Sequence, residues 1–272
     1  MEEIMKTNHD PRNQKRNGNQ NVQSCHADTE NCLAQPTCRL PDIPKNRSPV
    51  PELTSLHTKA GRGNYGDASY RGNCSGLLIR DLLRYYQPKA VLDPMAGSGT
   101  CRDVCAELGI SCQSFDLKAG LDATDPANFQ TFGPFDFVWM HPPYWRMVSY
   151  SDDPRCLSRA PTVSEFLQRL RQVIRNCLHC LTPSGRLTIL MGDWRHQGRY
   201  LGLPFRTFNC AVAEGLWLDA PEIIRFQHGA TSSGKVYDFA FIPRLHDVCL
   251  VFKRRPPNDA ELPIVASIAK AA

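Results

Sequence analysis

Ala90 to Thr100, AVLDPMAGSGT, is the stretch that most narrows what this chain can fold into. The apolar run Ala90-Val91-Leu92 stops at Asp93-Pro94; Ala96, Gly97, Ser98 and Gly99 form a turn of small residues, and Thr100 opens a helical stretch. This order reads as a buried strand, a glycine turn and a helix N-terminus, where backbone N–H groups can face an anion. Gly97 and Gly99 carry no Cβ, so the backbone there can pass close to a ligand. The dinucleotide fingerprint is incomplete, because Arg102 stands where a third glycine belongs. The phosphate-loop pattern also fails, since no Lys-Ser/Thr pair follows Gly99.

A second stretch, Phe135 to Trp145 (FDFVWMHPPYW), reads as an apolar and aromatic strand ending in His-Pro-Pro-Tyr. The two prolines remove backbone donors and fix φ, so the chain leaves the strand in a rigid extended turn. That turn presents the His141 side chain, the Pro142 carbonyl and the Tyr144 ring at the C-terminal edge of a sheet, where open α/β sheets bind ligands. A proline-punctuated loop with an aromatic packed on the core is the plainer alternative.

DPMAGSGT followed about 40 residues later by HPPYW resembles the S-adenosylmethionine-dependent methyltransferases that modify exocyclic amino groups of DNA bases. The resemblance runs from about Asn64 to about Lys253. It implies a class I, Rossmann-like α/β fold with a mostly parallel sheet and an antiparallel C-terminal strand. In that family the first motif lies under the methionine part of the cofactor, which points to Asp93, Pro94, Ala96, Gly97, Gly99 and Thr100. The second motif, His141, Pro142, Pro143 and Tyr144, would hold the target amine. Two positions depart from the family pattern: Met95 replaces the usual Phe, and His141 replaces Asp, Asn or Ser. Tyr70 to Gly76 resembles the segment closing the cofactor carboxylate pocket, with Gly72 and Asn73 as contacts; a helix-capping loop is the alternative. Asp122 resembles the residue beside the adenine, with Asp125 as a competitor. The Trp after Pro-Pro-Tyr leans the target to cytosine N4 over adenine N6. The partner implied is DNA, with RNA second; the alternatives are an RNA base or protein amide as substrate, or a cofactor-binding module that has lost catalysis. The catalytic sheet nearly uses up the resembling stretch, so sequence specificity is short or comes from a partner.

Asp116 follows the strand pattern Ser111 to Phe115, roughly 20 residues past the glycine turn, where a carboxylate accepts ribose hydroxyl hydrogen bonds. Residues 145–161 form a long irregular loop, a candidate for contacting the target base and its phosphates, with Trp145, Arg146 and Tyr150. Arg195 is a further substrate candidate at the end of the strand pattern Arg186 to Gly192.

The 272 residues suffice for one α/β domain with tails, and the formal net charge of +5 has the sign a phosphate backbone needs. Residues 1–60 are polar and aperiodic and read as a disordered leader, 61–254 as the catalytic domain, and 255–272 as a tail. The start lacks a signal segment and no apolar run approaches about 18 residues, so no membrane partner is expected. A cytoplasmic protein follows, its twelve cysteines reduced. Cys25, His26, Cys32 and Cys38 match no standard zinc spacing, and no metal is expected. Helices are expected from Ser75 with the stripe Leu77, Leu78, Leu82 and Leu83, over Cys101 to Leu108, from a Thr162/Glu165 capping box to a Thr182–Gly185 stop, and over Pro204 to Glu214. The last strands are expected at Ile223 to Phe226 and Asp247 to Lys253.

Overall fold

The computed structural model describes residues 40–227 and 236–256. In chain order the elements are β1 (Leu56–His57), α1 (Gly76–Tyr86), β2 (Ala90–Asp93), α2 (Thr100–Leu108), β3 (Ser111–Ser114), β4 (Phe135–Met140), α3 (Val163–Cys180), β5 (Leu181–Met191), β6 (Arg195–His196), β7 (Arg199–Tyr200), α4 (Leu203–Ala213), β8 (Leu216–Leu218), β9 (Ile223–Phe226) and β10 (His246–Arg254). The fold is α/β and Rossmann-like. One mixed sheet runs β1-β9-β10-β5-β4-β2-β3, with β8 also paired to β10. Strands β3, β2, β4 and β5 are mutually parallel, and β10 lies antiparallel to β5 and β9.

Successive strand residues point to opposite faces, so a strand covered on both faces can be apolar throughout. Val91, Phe137, Trp139, Leu190 and Val251 meet α1 and α2 through Leu78, Ile79, Leu82, Val104 and Cys105. Their neighbours Leu92, Val138, Met140, Ile189 and Phe252 meet α3 and α4 through Phe166, Leu170, Ile174, Leu203 and Ala211. The result is three layers, helix–sheet–helix. Ser75 caps α1 by accepting from Leu77 N–H, and Thr162 caps α3 by accepting from Glu165 N–H. Among the described residues no helix is long and apolar enough to cross a membrane.

The structure departs from the sequence expectations at the element ends. The stripe of α1 buries Ile79 rather than Leu77, which is only half-buried. Thr182–Gly185 does not stand as a separate stop: α3 ends at Cys180 and β5 begins at Leu181. The extra residues are taken up by a register shift, Phe135 facing Leu181 while Phe137 faces Arg186. Short β8 and the β6–β7 hairpin carry too few residues to show a period.

Packing also reaches back into the stretch read as a disordered leader. Val50 is buried, Leu56 pairs with Ile224, and buried His57 contacts Asp81 at 3.2 Å, which Lys59 Nζ also reaches at 2.7 Å. Cys25, His26, Cys32 and Cys38 lie outside the described residues, as does most of the expected tail. The chain starting at Ile43 is the reference for what this packing contributes. One starting at Thr58 loses β1 and the His57 partner of buried Asp81, and its Tm should fall by about 5–10 °C. Calorimetry on both chains checks this; equal Tm values would show that β1 contributes nothing.

Candidate active site

Strand β2 has β3 on one side and β4 on the other, and the chain crosses over in opposite directions from it. Such a switch point leaves a crevice beyond the carboxyl ends of the strands. The pairing Leu92 to Val138 sets the turn after Asp93 beside the turn after Met140. A cleft open to solvent lies there. Asp93, Pro94, Ala96, Gly97 and Thr100 line it from the first turn, and His141 and Pro143 from the second. Gly72, Asn73, Asp116, Asp122 and Tyr150 complete the set of sequence candidates it gathers.

Four amides of the glycine turn are bonded inside the protein: Met95 N–H on Asp93 Oδ1 (3.1 Å), Ala96 N–H on Phe115 O (2.9 Å), Gly97 N–H on Asp116 Oδ2 (3.0 Å) and Gly99 N–H on Ala96 O (2.7 Å). Two of the four acceptors are side-chain oxygens of Asp93 and Asp116. A turn filled this way suits a ligand rich in hydroxyls and positive charge rather than a phosphate. Gly97 needs to be glycine, since φ is +49° and a Cβ would stand 3.2 Å from the Tyr70 ring. Gly99 does not line the cleft; it sits at φ +79° as the N-cap of α2.

Asp93 is buried, and burial raises its pKa to about 8, so the carboxyl is largely protonated at neutral pH. Asp116 turns one oxygen to Gly97 and the other to Lys118 N–H (3.0 Å). Asp122 accepts from Thr124 N–H (2.8 Å) and Oγ1 (2.7 Å) through Oδ1 alone. Its competitor Asp125 is exposed, caps a short turn through Ala127 N–H, and does not line the cleft.

Asn73 reaches the cleft, but its side chain organises its own loop. Nδ2 donates to Asp67 O (2.7 Å) and Oδ1 accepts from Arg62 Nε (3.2 Å). Tyr150, expected on the substrate, instead stacks on Tyr70 with ring centroids 6.0 Å apart, and a Cβ on Gly72 would collide with its hydroxyl. Lys118 Nζ lies 4.9 Å from the Tyr70 ring. Tyr70, Lys118 and Leu121 line the cleft without having been singled out; for Lys118 the available signal was its place two residues past Asp116.

At the second turn His141 Nε2 lies 3.0 Å from Tyr144 Oη. Burial of the largely covered His141 ring lowers its pKa to about 4, against a weaker opposing pull from Asp247. The imidazole is therefore neutral across the physiological range. When Nε2–H donates to Tyr144, Nδ1 is left as an acceptor. Burial also holds the Tyr144 phenol well above its ordinary pKa. Behind the turn, buried Asp247 binds Arg244, Arg225 Nη1 (2.7 Å) and Gln227 Nε2 (2.8 Å), and the Arg244 guanidinium lies 5.6 Å from the Tyr144 ring centroid.

Several candidates do not line the cleft. Pro142 and Tyr144 are buried beside it. Trp145 is buried too: its Nε1–H donates to Ala160 O (2.8 Å) and its ring packs against Trp194 and His196, which makes it an anchor for the loop. It holds φ +49°, a strained value for a bulky residue. Arg146 is exposed, and Arg195 covers the Phe239 and Phe241 rings at 5.1 and 5.3 Å.

No protein-family model matches this chain. No curated relative matches it either. Among solved structures it is similar to a protein assigned as a DNA modification methylase from Thermus thermophilus, at 23% identity over 53% of this chain and 54% of that chain, with a TM-score of 0.35. It is also similar to TrmN from the same organism, at 17% identity over 68% and 50% with a TM-score of 0.38. A third likeness is to a protein of echinomycin biosynthesis, from a study of the conversion of a disulfide bond into a thioacetal group, at 16% identity over 71% and 88% with a TM-score of 0.43. The match spans about half the length of the first two.

Proposed function

We propose that the protein transfers the methyl group of S-adenosylmethionine to an exocyclic amino group of a DNA base, cytosine N4 ahead of adenine N6. The observation that carries this reading is the convergence of the glycine turn and the His-Pro-Pro-Tyr turn on one cleft, with Asp93, Asp116 and Asp122 in its wall. Three carboxyl groups and few spare amides fit a ligand with a cationic sulfonium and ammonium, two ribose hydroxyls and an adenine amine. Asp93 would face positive charge, Asp116 the hydroxyls and Asp122 the adenine amine, while Tyr70, Leu121 and Tyr150 give apolar wall. When bound, the cofactor supplies an electrophilic methyl group.

The target amine is a poor nucleophile because its lone pair is conjugated with the ring. Two acceptors that bind its hydrogens can turn the lone pair out of conjugation. The Pro142 carbonyl and neutral His141 are the acceptors available at this turn. Tyr144, backed by Arg244, offers a ring for a base turned out of its stack. In this reading the catalytic domain spans about residues 43–254, and the formal charge of +5 favours a nucleic-acid partner. In the same reading the domain works in the cytoplasm, and a partner contributes to sequence specificity.

The test is transfer of radiolabelled methyl from S-adenosylmethionine to DNA, tRNA and protein pools, followed by base analysis. DNA labelled at cytosine N4 is the expected result, with Gly97→Val folded but inactive, since a β-branched side chain cannot enter a turn at φ +49° against Tyr70. Label on tRNA or protein alone would move the substrate; cofactor binding without transfer to any pool would make this a binding module.

A further inference from the structure

Three cysteines meet beside the cleft, where Cys101 reaches its wall, and no role proposed above uses them. Cys101 and Cys105 stand four apart on α2, on the face turned to the sheet, and both are fully buried. The helix stops at Gly109 in a left-handed cap, Ile110 N–H returns to Cys105 O at 2.9 Å, and β3 begins at once with Ser111-Cys112. This short connection folds Cys112 back against the helix, so that the three sulfur atoms lie within 4.8 Å of one another. Cys112 is only half-buried, which leaves a way in from solvent.

We propose that Cys101, Cys105 and Cys112 form a binding site for a thiophilic d10 metal ion, Zn2+ or Cu+. Three thiolates at about 2.3 Å from a central ion would lie about 4 Å apart in a trigonal plane, within the span seen here. Thiolate sulfur selects these soft or borderline ions over Mg2+ and Ca2+, which want oxygen. Binding breaks three S–H bonds, forms three S–metal bonds and sends three protons to solvent. With Zn2+ the site carries one net negative charge, next in sequence to the exposed Arg102 guanidinium, and a water completes the tetrahedron. Ordinary apolar packing does not account for the convergence, because an alanine or valine would fill a core position without bringing sulfurs together. Of the other six described cysteines, none joins a three-ligand group. The site would pin the start of α2, whose Thr100 and Cys101 line the cofactor cleft.

The test uses the reduced full-length chain titrated with Cd2+, whose thiolate charge-transfer absorption reports ligation without reference to methyl transfer. One equivalent should saturate the site. Cys112→Ser and Cys105→Ser should each weaken binding by about 100-fold. Serines at Cys25, Cys32 and Cys38 together should leave it unchanged. Elemental analysis of the purified protein separates zinc from copper. Should Cys105→Ser fail to fold, the half-buried Cys112→Ser carries the test. Absence of the absorption band in the wild type, or a full band in folded Cys112→Ser, would overturn the assignment.

Discussion

Replacing Asp93 by Asn should weaken S-adenosylmethionine binding by about 30- to 1,000-fold while making the free protein less sensitive to alkaline pH. Both effects come from one buried carboxyl group. Burial raises its pKa from the ordinary 3.8 to about 8. A cation entering the cleft favours the charged form, so at pH 7 binding should release close to one proton. Truncating one partner of such a pair costs about 2–4 kcal/mol, which is the affinity loss above. The stability effect has the opposite sign. A carboxyl whose folded-state pKa lies above its unfolded value binds more protons in the native state, so wild-type stability falls as pH rises from about 4 to about 8. Asparagine does not ionise and still accepts the Met95 N–H. The Tm of Asp93→Asn should therefore gain on the wild type between pH 5 and pH 8.5, and S-adenosylmethionine should offset that gain by stabilising the wild type more than the variant. Calorimetry in two buffers of different ionisation enthalpy reads the proton. Unchanged affinity in the variant, or no proton released, would remove Asp93 from the site.

The sheet centre was legible because alternation and burial agree there. Val91 and Leu92 serve opposite faces, as do Phe137 and Val138, and such runs belong to strands covered on both sides. Caps were legible where chemistry is local, at Ser75 and Thr162. Leu56–His57 was not, because two residues show no period and their place depends on β9, far along the chain.

The wall built from the glycine turn to Asp122 could be read further than the loop after Pro143. Glycines, a strand-end Asp and a short loop fix one another within about 30 residues, which is why Asp93, Gly97, Asp116 and Asp122 all reach the cleft. The aromatic and basic residues after Pro143 gave no such guide. Trp145 became an anchor on Ala160 because its indole N–H needed a buried acceptor, and Arg195 found the faces of Phe239 and Phe241. Residue type alone does not separate a side chain that holds a loop from one that holds a ligand. The Cys101–Cys105–Cys112 convergence was hidden for a related reason. The helical pair is a sequence feature, but the third sulfur arrives only through the tight return from α2 to β3.

His141 carries the second large effect. An unperturbed imidazole would titrate near pH ~6.5, and methyl transfer that needs its neutral form would fall as pH drops through roughly 6 to 7. Burial moves that limb to about 4 by penalising the charged ring. Wild-type transfer should therefore be flat from pH 5 to 7. His141→Ala should slow single-turnover transfer by about 10²–10³-fold, by analogy with loss of one transition-state hydrogen-bonding group. The informative variant is His141→Asp, which places a carboxylate at that turn. The same burial that pushes an imidazole down pushes a carboxyl up, and buried Asp247 adds a like charge nearby. Its acid limb should thus lie above that of the wild type, the reverse of what free Asp and His would give. Single-turnover rates from pH 4 to 8 for the three proteins, with cofactor affinity measured separately, decide the matter. Should His141→Ala transfer at the wild-type rate with the same profile, the imidazole accepts nothing from the amine, and the turn must work through Pro142 and Tyr144 alone.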